Sequence, residues 1–261
     1  MRDAPLDEAI WQSALNDYAF TRALNTDERA RLKRWVTLFL AEKPINGAGN
    51  LHIANGARLA IAIQACMLIL NLDLDWYHSW TEVILYPGEF IARHEAVDEA
   101  GVVHSVAEPM SGESWQHGTV VLSWTDVRRA GKADGYNVVI HEFAHQLDMS
   151  NGEANGFPPL HKTMRRDAWA DAFSKAYADF CRRVDGGERT RIDDYAAENP
   201  AEFFAVMSEA FFEIPGVVRG EYPQVYAQLA LFYQQDPAQR VQGGHPVSGD
   251  TSECKSNFRS A

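Results

Sequence analysis

Residues 137–152, NVVIHEFAHQLDMSNG, carry two histidines four apart with a glutamate directly after the first. Apolar residues at Val138, Val139, Phe143 and Leu147 recur around them with helical spacing. On an α-helix, residues four apart differ by about 400°, so His141 and His145 project from one side, one turn apart. Their ring nitrogens can meet at one zinc ion at about 2.0–2.1 Å each. Glu142 lies about 100° around from His141, where a carboxylate reaches a metal-held water without ligating the ion. The spacing thus supplies two ligands and a general base. A chain of this composition is expected to contain only about 0.02 HExxH patterns by chance. The plain alternative is two histidines hydrogen-bonded within an amphipathic helix. A catalytic zinc takes three protein ligands and keeps one position for water. The fold must therefore bring a third donor to this helix.

Nearby donors fail. The HExxHxxGxxH form needs a glycine and a histidine where this chain has Asp148 and Asn151. A thermolysin-like spacing needs a glutamate some 20 residues downstream, a region that holds Lys162, Asp167 and Asp171. The remaining candidate is Glu202, in the later helical segment YAAENPAEFFAVMSEAFF. Glu209, seven residues on, falls about 20° away on the same face. One carboxylate can ligate while the other orients a ligand histidine through its second ring nitrogen. Glu202 also fits an ordinary helix start, as the N3 residue of a capping box with Asn199 at the N-cap and Pro200 at N1. Composition and spacing leave both readings open.

The rest of the chain bounds the setting. With 261 residues, 46% of them apolar and 11% aromatic, it can bury a full core. A net charge of −12 argues against direct binding to nucleic acid or anionic lipid. Cys66, Cys181 and Cys254 form no CxxC pair, which fits reduced thiols in a cytosol. The start, MRDAPLDEAI, is too acidic for a signal peptide. The apolar stretch 57–72 is broken by Gln64 and is shorter than the roughly 20 residues a membrane span needs. It reads as a buried core helix. A soluble, cytoplasmic protein is expected.

Helical patterning comes first. Asn25 and Glu28 have capping-box spacing, and Leu32, Trp35, Val36, Phe39 and Leu40 form one stripe. KPINGAGNLHIANG reads as a turn-rich break. Strand-like runs follow: TEVILYPGEFIAR, VVHSVAEPMSGES and GTVVLSWTDV. After the histidine helix, RDAWADAFSKAYADFCRRV, NPAEFFAVMSEAFFE and EYPQVYAQLALFYQQD are again helical. The order predicts an α+β fold, a small mixed sheet with the HExxH helix, flanked by N-terminal and C-terminal helices. One domain over 1–240, with two lobes about a cleft, is expected, followed by a disordered tail over 241–261. The strand TVVLSW (119–124) is either an interior strand or an open edge for an extended peptide.

HEFAHQLD together with the distant YAAENPAEFFAVMSEAFF resembles the Mlc titration factor A family of zinc peptidases. That family is in turn similar to the zincin-like catalytic domain of lethal-factor-type gluzincins. The likeness runs from LAEKPINGAGNLHIANGARLAIAIQACMLIL to about Gln235. It implies one zinc ion per chain, bound by His141, His145 and Glu202, with Glu142 activating the water. It also implies that Tyr195 stands near the metal, where its phenol can stabilise an oxyanion; an ordinary capping or core tyrosine is the alternative. By likeness the substrates are small peptides cleaved in aminopeptidase fashion, and the partner is the glucose-responsive transcriptional repressor Mlc. One departure is local: the lethal-factor-type helix carries a second glutamate one turn after the ligand, where this chain has Val206. Glu209 is the candidate to take that role.

Other polar residues read as structural. Asp148 fits a helix C-terminus better than a ligand, and His94, His104, His117 and His161 are scattered. His245 in the tail is a remote candidate for an inhibitory ligand. Against the peptidase stand two other readings: a regulatory protein that sequesters a repressor, and a helical scaffold that binds no metal.

Overall fold

The computed structural model of the protein describes residues 7–49, 51–97, 103–110, 112–114 and 118–243, with backbone alone for 90–97, 103–110 and 241–243. Helices α1 (Glu8–Asn16), α2 (Ala19–Arg22) and α3 (Thr26–Glu42) come first. Asn25 and Glu28 form the full capping box at the start of α3, and Leu32, Val36 and Phe39 are its buried stripe. Strand β1 (Ile45–Gly47) lies within the segment expected to be only turns, before α4 (Asn55–Leu68). Three residues are too few to show an alternating pattern, so β1 has no signature of its own.

α4 is the buried core helix: ten of its residues are inaccessible, Gln64 among them. The Gln64 amide donates to the Ala60 carbonyl at 3.1 Å and to the Tyr18 hydroxyl at 3.3 Å, which offsets part of the cost of burying it.

Next come β2 (Glu82–Tyr86), β3 (Phe90–Val97), β4 (Val103–Met110), β5 (Gly112–Ser114) and β6 (Thr119–Ser123). β3 and β4 form a separate antiparallel ribbon. The main sheet has the order β1-β2-β6-β5. β1 and β6 each run parallel to β2, and β5 runs antiparallel to β6 with Gly112 opposite Leu122. The strand TVVLS is therefore interior, paired on both sides, and the open-edge alternative falls. Its continuous burial from Val120 to Ser123 is the mark of a middle strand covered on both faces. Among the described strands, β1 and β5 are the two ends of this sheet, and β5 is the one beside β6.

Behind the sheet follow α5 (Trp124–Arg129), α6 (Val138–Asp148), α7 (Arg166–Asp185), α8 (Pro200–Glu213), α9 (Pro215–Glu221), α10 (Pro223–Tyr233) and α11 (Pro237–Gly243). The fold is α+β, as the element order implied. Prolines at the first positions of α8, α9 and α10 set each helix start.

The apolar face of α6 rests on an aromatic cluster. Phe143 lies 5.2 Å from the rings of Tyr77 and Trp80 and 5.9 Å from Phe39, centroid to centroid. All four are sealed from solvent, each contributing roughly 1.5–3 kcal/mol through burial. This clamp fixes the helix and leaves its histidines facing α8. The tail expected from 241 lies outside the described residues beyond Gly243, as do His117 and His245. Among the described residues, no helix is long and apolar enough to cross a membrane.

Candidate metal centre

α6 begins at Asn137, whose side-chain oxygen accepts from the Ile140 N–H at 3.0 Å. α8 begins at Asn199, which accepts from the N–H groups of Ala201 and Glu202 at 2.9 and 3.1 Å. The two helices pack against each other and run antiparallel, since contacts of Glu202, Glu209 and Glu213 step backwards along α6. Asn199 caps α8 without help from Glu202, whose carboxylate turns away from it toward the histidines. The capping-box alternative for Glu202 is thereby half right: the backbone of Glu202 is capped, but its side chain is spent elsewhere.

That side chain reaches both imidazoles. Glu202 Oε2 lies 3.0 Å from His141 Nε2 and 3.3 Å from His145 Nε2, and the two Nε2 atoms are 3.2 Å apart. Four ligands arranged tetrahedrally about 2.0–2.1 Å from a zinc ion stand about 3.3 Å from one another. The observed triangle has nearly those edges. Two ring nitrogens and a carboxylate are also a donor set that suits zinc. Among the described residues, this is the one group of three or more histidines, cysteines and acids gathered closely enough to hold an ion.

The outer partners are unequal. His141 Nδ1 lies 2.7 Å from Glu209 Oε1, and the other Glu209 oxygen accepts from the Asn137 backbone N–H. A carboxylate behind a ring nitrogen fixes the tautomer that leaves Nε2 free for a metal. His145 has no such support among the described residues: its Nδ1 is buried without a hydrogen bond there. Glu142 is only 5% exposed and lines the same space. The Ser114 hydroxyl of β5 donates to its carbonyl at 2.9 Å, tying the end strand to α6.

Proton affinities follow from this crowding. Burial disfavours the imidazolium of His141, yet the carboxylates of Glu209 and Glu202 outweigh it and raise the group well above its ordinary value. Burial likewise opposes ionisation of Glu202, but hydrogen bonds and charge from the two imidazoles hold it well below the carboxylate range. Burial pushes Glu142 and Glu209 up, with the imidazoles opposing. A divalent cation bound by these side chains would displace the protons that the acids and rings otherwise share.

The remaining candidates fall on either side of the site. Tyr195 stands on the short turn Asp194–Ala197, 48% exposed, its ring 6.0 Å from that of His141. It is no core tyrosine, and Asp193 does the capping of that turn. Asp148 closes α6 by accepting from the N–H groups of Asn155 and Gly156 at 2.8 and 2.7 Å, away from the ligand atoms. His161 bonds to the Phe232 carbonyl at 2.7 Å and packs on Trp76. His94 and His104 lie on β3 and β4, their side chains outside the description.

Two residues near the site had escaped notice in the sequence. Gly112 presses on Glu142, and Glu213 reaches Asn137; the second had a signal, a third acid on the Glu202–Glu209 face of an otherwise apolar helix. A cavity of about 770 Å³ opens beside the cluster between β5, α6 and the 193–202 segment, within the range of small-ligand sites.

Comparison with known proteins agrees with this geometry. The family described as glucose-regulated metallo-peptidase M90 matches residues 1–234. The chain is 37% identical over 237 residues to Mlc titration factor A of Salmonella arizonae, covering 89% of this chain and 93% of the relative. It is 34% identical over 253 residues to that of Enterobacter sp. (strain 638), covering 95% and 92%, and 37% identical over 237 residues to that of Yersinia pestis, covering 89% and 87%. With a family match over residues 1–234 and relatives matched to this extent, the chain belongs to the M90 family of glucose-regulated metallo-peptidases.

Proposed function

We propose that this protein is a zinc-dependent metallopeptidase of the gluzincin type that cleaves peptides in aminopeptidase fashion in the cytoplasm. The convergence of His141, His145 and Glu202 within 3.3 Å, with Glu142 beside them on an open cavity, carries the reading. His141, His145 and Glu202 would hold the zinc ion, which when bound would supply Lewis acidity toward a water and the scissile carbonyl. Glu142 takes the proton of the attacking water and passes it to the leaving amine. Tyr195 donates its phenol to the developing oxyanion from the rim of the cavity. Glu209 holds the His141 ring in place. β5, as the end strand along the cavity, gives an extended peptide a backbone to pair with.

The lining favours one polarity of substrate. Glu113, Glu142, Asp193, Glu202 and Glu209 border the cavity, and no lysine or arginine does among the described residues. Such a wall attracts an α-ammonium group and offers no clamp for a terminal carboxylate. Residues 1–240 act as one unit with this cleft between sheet and helices.

The name of the relatives, Mlc titration factor A, favours a second function: binding and inactivating the repressor Mlc. On that reading the zinc site is secondary to capture of a partner. Glu142→Ala separates the two. Hydrolysis of an aminoacyl 4-nitroanilide is expected to fall by about 10²–10⁴-fold, with zinc content and repressor binding retained. Full hydrolysis by a folded, zinc-loaded Glu142→Ala protein would remove Glu142 as the base, and a zinc-loaded wild type without hydrolysis would overturn the aminopeptidase reading. Loss of repressor binding in the same variant would show that the two functions are not separable.

A further inference from the structure

α8 presents a column of three glutamates to α6, and the mechanism uses only two of them. Glu202 meets the Nε2 atoms of the histidines and Glu209 meets His141 Nδ1 and the Asn137 N–H. Glu213, four residues after Glu209, accepts from Asn137 Nδ2 at 2.8 Å and from the Ala133 N–H at 2.7 Å. It is 4% exposed and has no cationic partner among the described residues. A buried carboxylate with two neutral donors is a costly arrangement, since an uncharged side chain there avoids the desolvation.

Asn137 is the hub it serves. That residue is fully buried and makes three separate contacts: its N–H to Glu209, its side-chain oxygen to the Ile140 N–H, and its amide nitrogen to Glu213. The bond from Glu213 decides which way the Asn137 amide faces, and so keeps its oxygen on the start of α6. The second bond holds Ala133, which stands at φ +60° in the left-handed region without being glycine. Strained backbone of this kind persists only where neighbours over-determine it.

We propose that Glu213 is a positioning residue of the metal centre, fixing Asn137, which fixes Glu209, which fixes the ring of His141. This rests on the reading of His141, His145 and Glu202 as zinc ligands. Its reach is zinc affinity rather than the chemistry of hydrolysis.

Zinc affinity of the full chain, measured by competition with a chromophoric chelator, tests it without any assay of activity. In Glu213→Gln the amide oxygen serves only one of the two donors and its nitrogen opposes the other. Affinity is expected to fall about three- to tenfold, below the 10–100-fold typical of residues that touch a metal ligand directly. Adding Asn137→Asp reverses donor and acceptor: the amide nitrogen introduced by Glu213→Gln then faces a carboxylate, while the amide oxygen accepts from Ala133. Net charge matches wild type, and affinity is expected to return to within about twofold. Leu15→Ala, a buried substitution in α1, serves as a control for lost stability and is expected to leave zinc affinity unchanged.

Unchanged affinity in Glu213→Gln, a double variant that stays as weak as the single one, or an equal loss in Leu15→Ala would each overturn the positioning role. A folded wild-type chain that binds no zinc would overturn the metal-centre reading, and this inference with it.

Discussion

Gly112 of β5 and Glu142 of α6 stand so close that a Cβ added to the glycine would lie 2.3 Å from Glu142 Oε1 and 2.7 Å from its Cγ and Cδ. No real Cβ makes such a contact, so the end strand reaches this position only because residue 112 has no side chain. Gly112→Ala must push the Glu142 carboxylate aside or lift the strand. Misplacing a base by about 1 Å is expected to cost roughly 100-fold in kcat. Zinc content stays at the wild-type level, because the three ligand atoms lie elsewhere. Steady-state kinetics beside metal analysis check this, and wild-type kcat in a folded Gly112→Ala protein would remove the strand from any part in placing the base.

Tyr195 is expected to act on the reaction rather than on the fold. Its side chain is half exposed at the rim, so Tyr195→Phe should leave the melting temperature within about 1 °C. If the phenol donates to the oxyanion, kcat/KM drops by an amount worth roughly 2.7–4 kcal/mol, about 10²–10³-fold. Equal rates in the two proteins would assign the hydroxyl no share in catalysis.

Glu213 gives a signed pH dependence. Burial raises its carboxyl from 4.5 to about 7, with Asn137 and Ala133 opposing and Asp134 and Glu209 reinforcing. The folded chain thus holds this proton more tightly than the unfolded chain. The contribution is fully present below about pH 4.5 and is lost as pH rises through about 7. The change is on the order of 3 kcal/mol. Urea unfolding of metal-free wild type and Glu213→Gln between pH 4.5 and 8 should show stabilities diverging across that window, wild type losing more. Parallel curves would mean that Glu213 titrates alike folded and unfolded.

Much of this architecture was legible in the chain. α3, α6 and α7 each show a 3.6-residue apolar stripe, and a cap residue or a proline marks the starts of α3 and α8, signals written by neighbours along one helix. The HExxH spacing set two candidate ligands and a candidate base on one helix for the same reason, since i and i+4 geometry is local. Glu202 was nameable from its motif, but choosing between a ligand and a cap required the approach of α8 to α6. What stayed hidden depended on contacts distant in sequence. β1 and β5 have three residues each and gain their strand character from partners; whether TVVLS was edge or interior turned on β5 lying beside it. The demand for glycine at position 112 comes from Glu142, far along the chain on another element. Glu213 looked like one more acid near a helix end until Asn137 was placed against it.

The most direct test of the metal centre is zinc binding by Glu202→Gln, measured beside wild type with the fold checked by circular dichroism. The carboxylate that lies 3.0 and 3.3 Å from the two imidazoles is expected to be the third ligand. Its loss should weaken zinc binding by at least about 100-fold, with secondary structure intact. Affinity equal to wild type in that variant would contradict the centre described here.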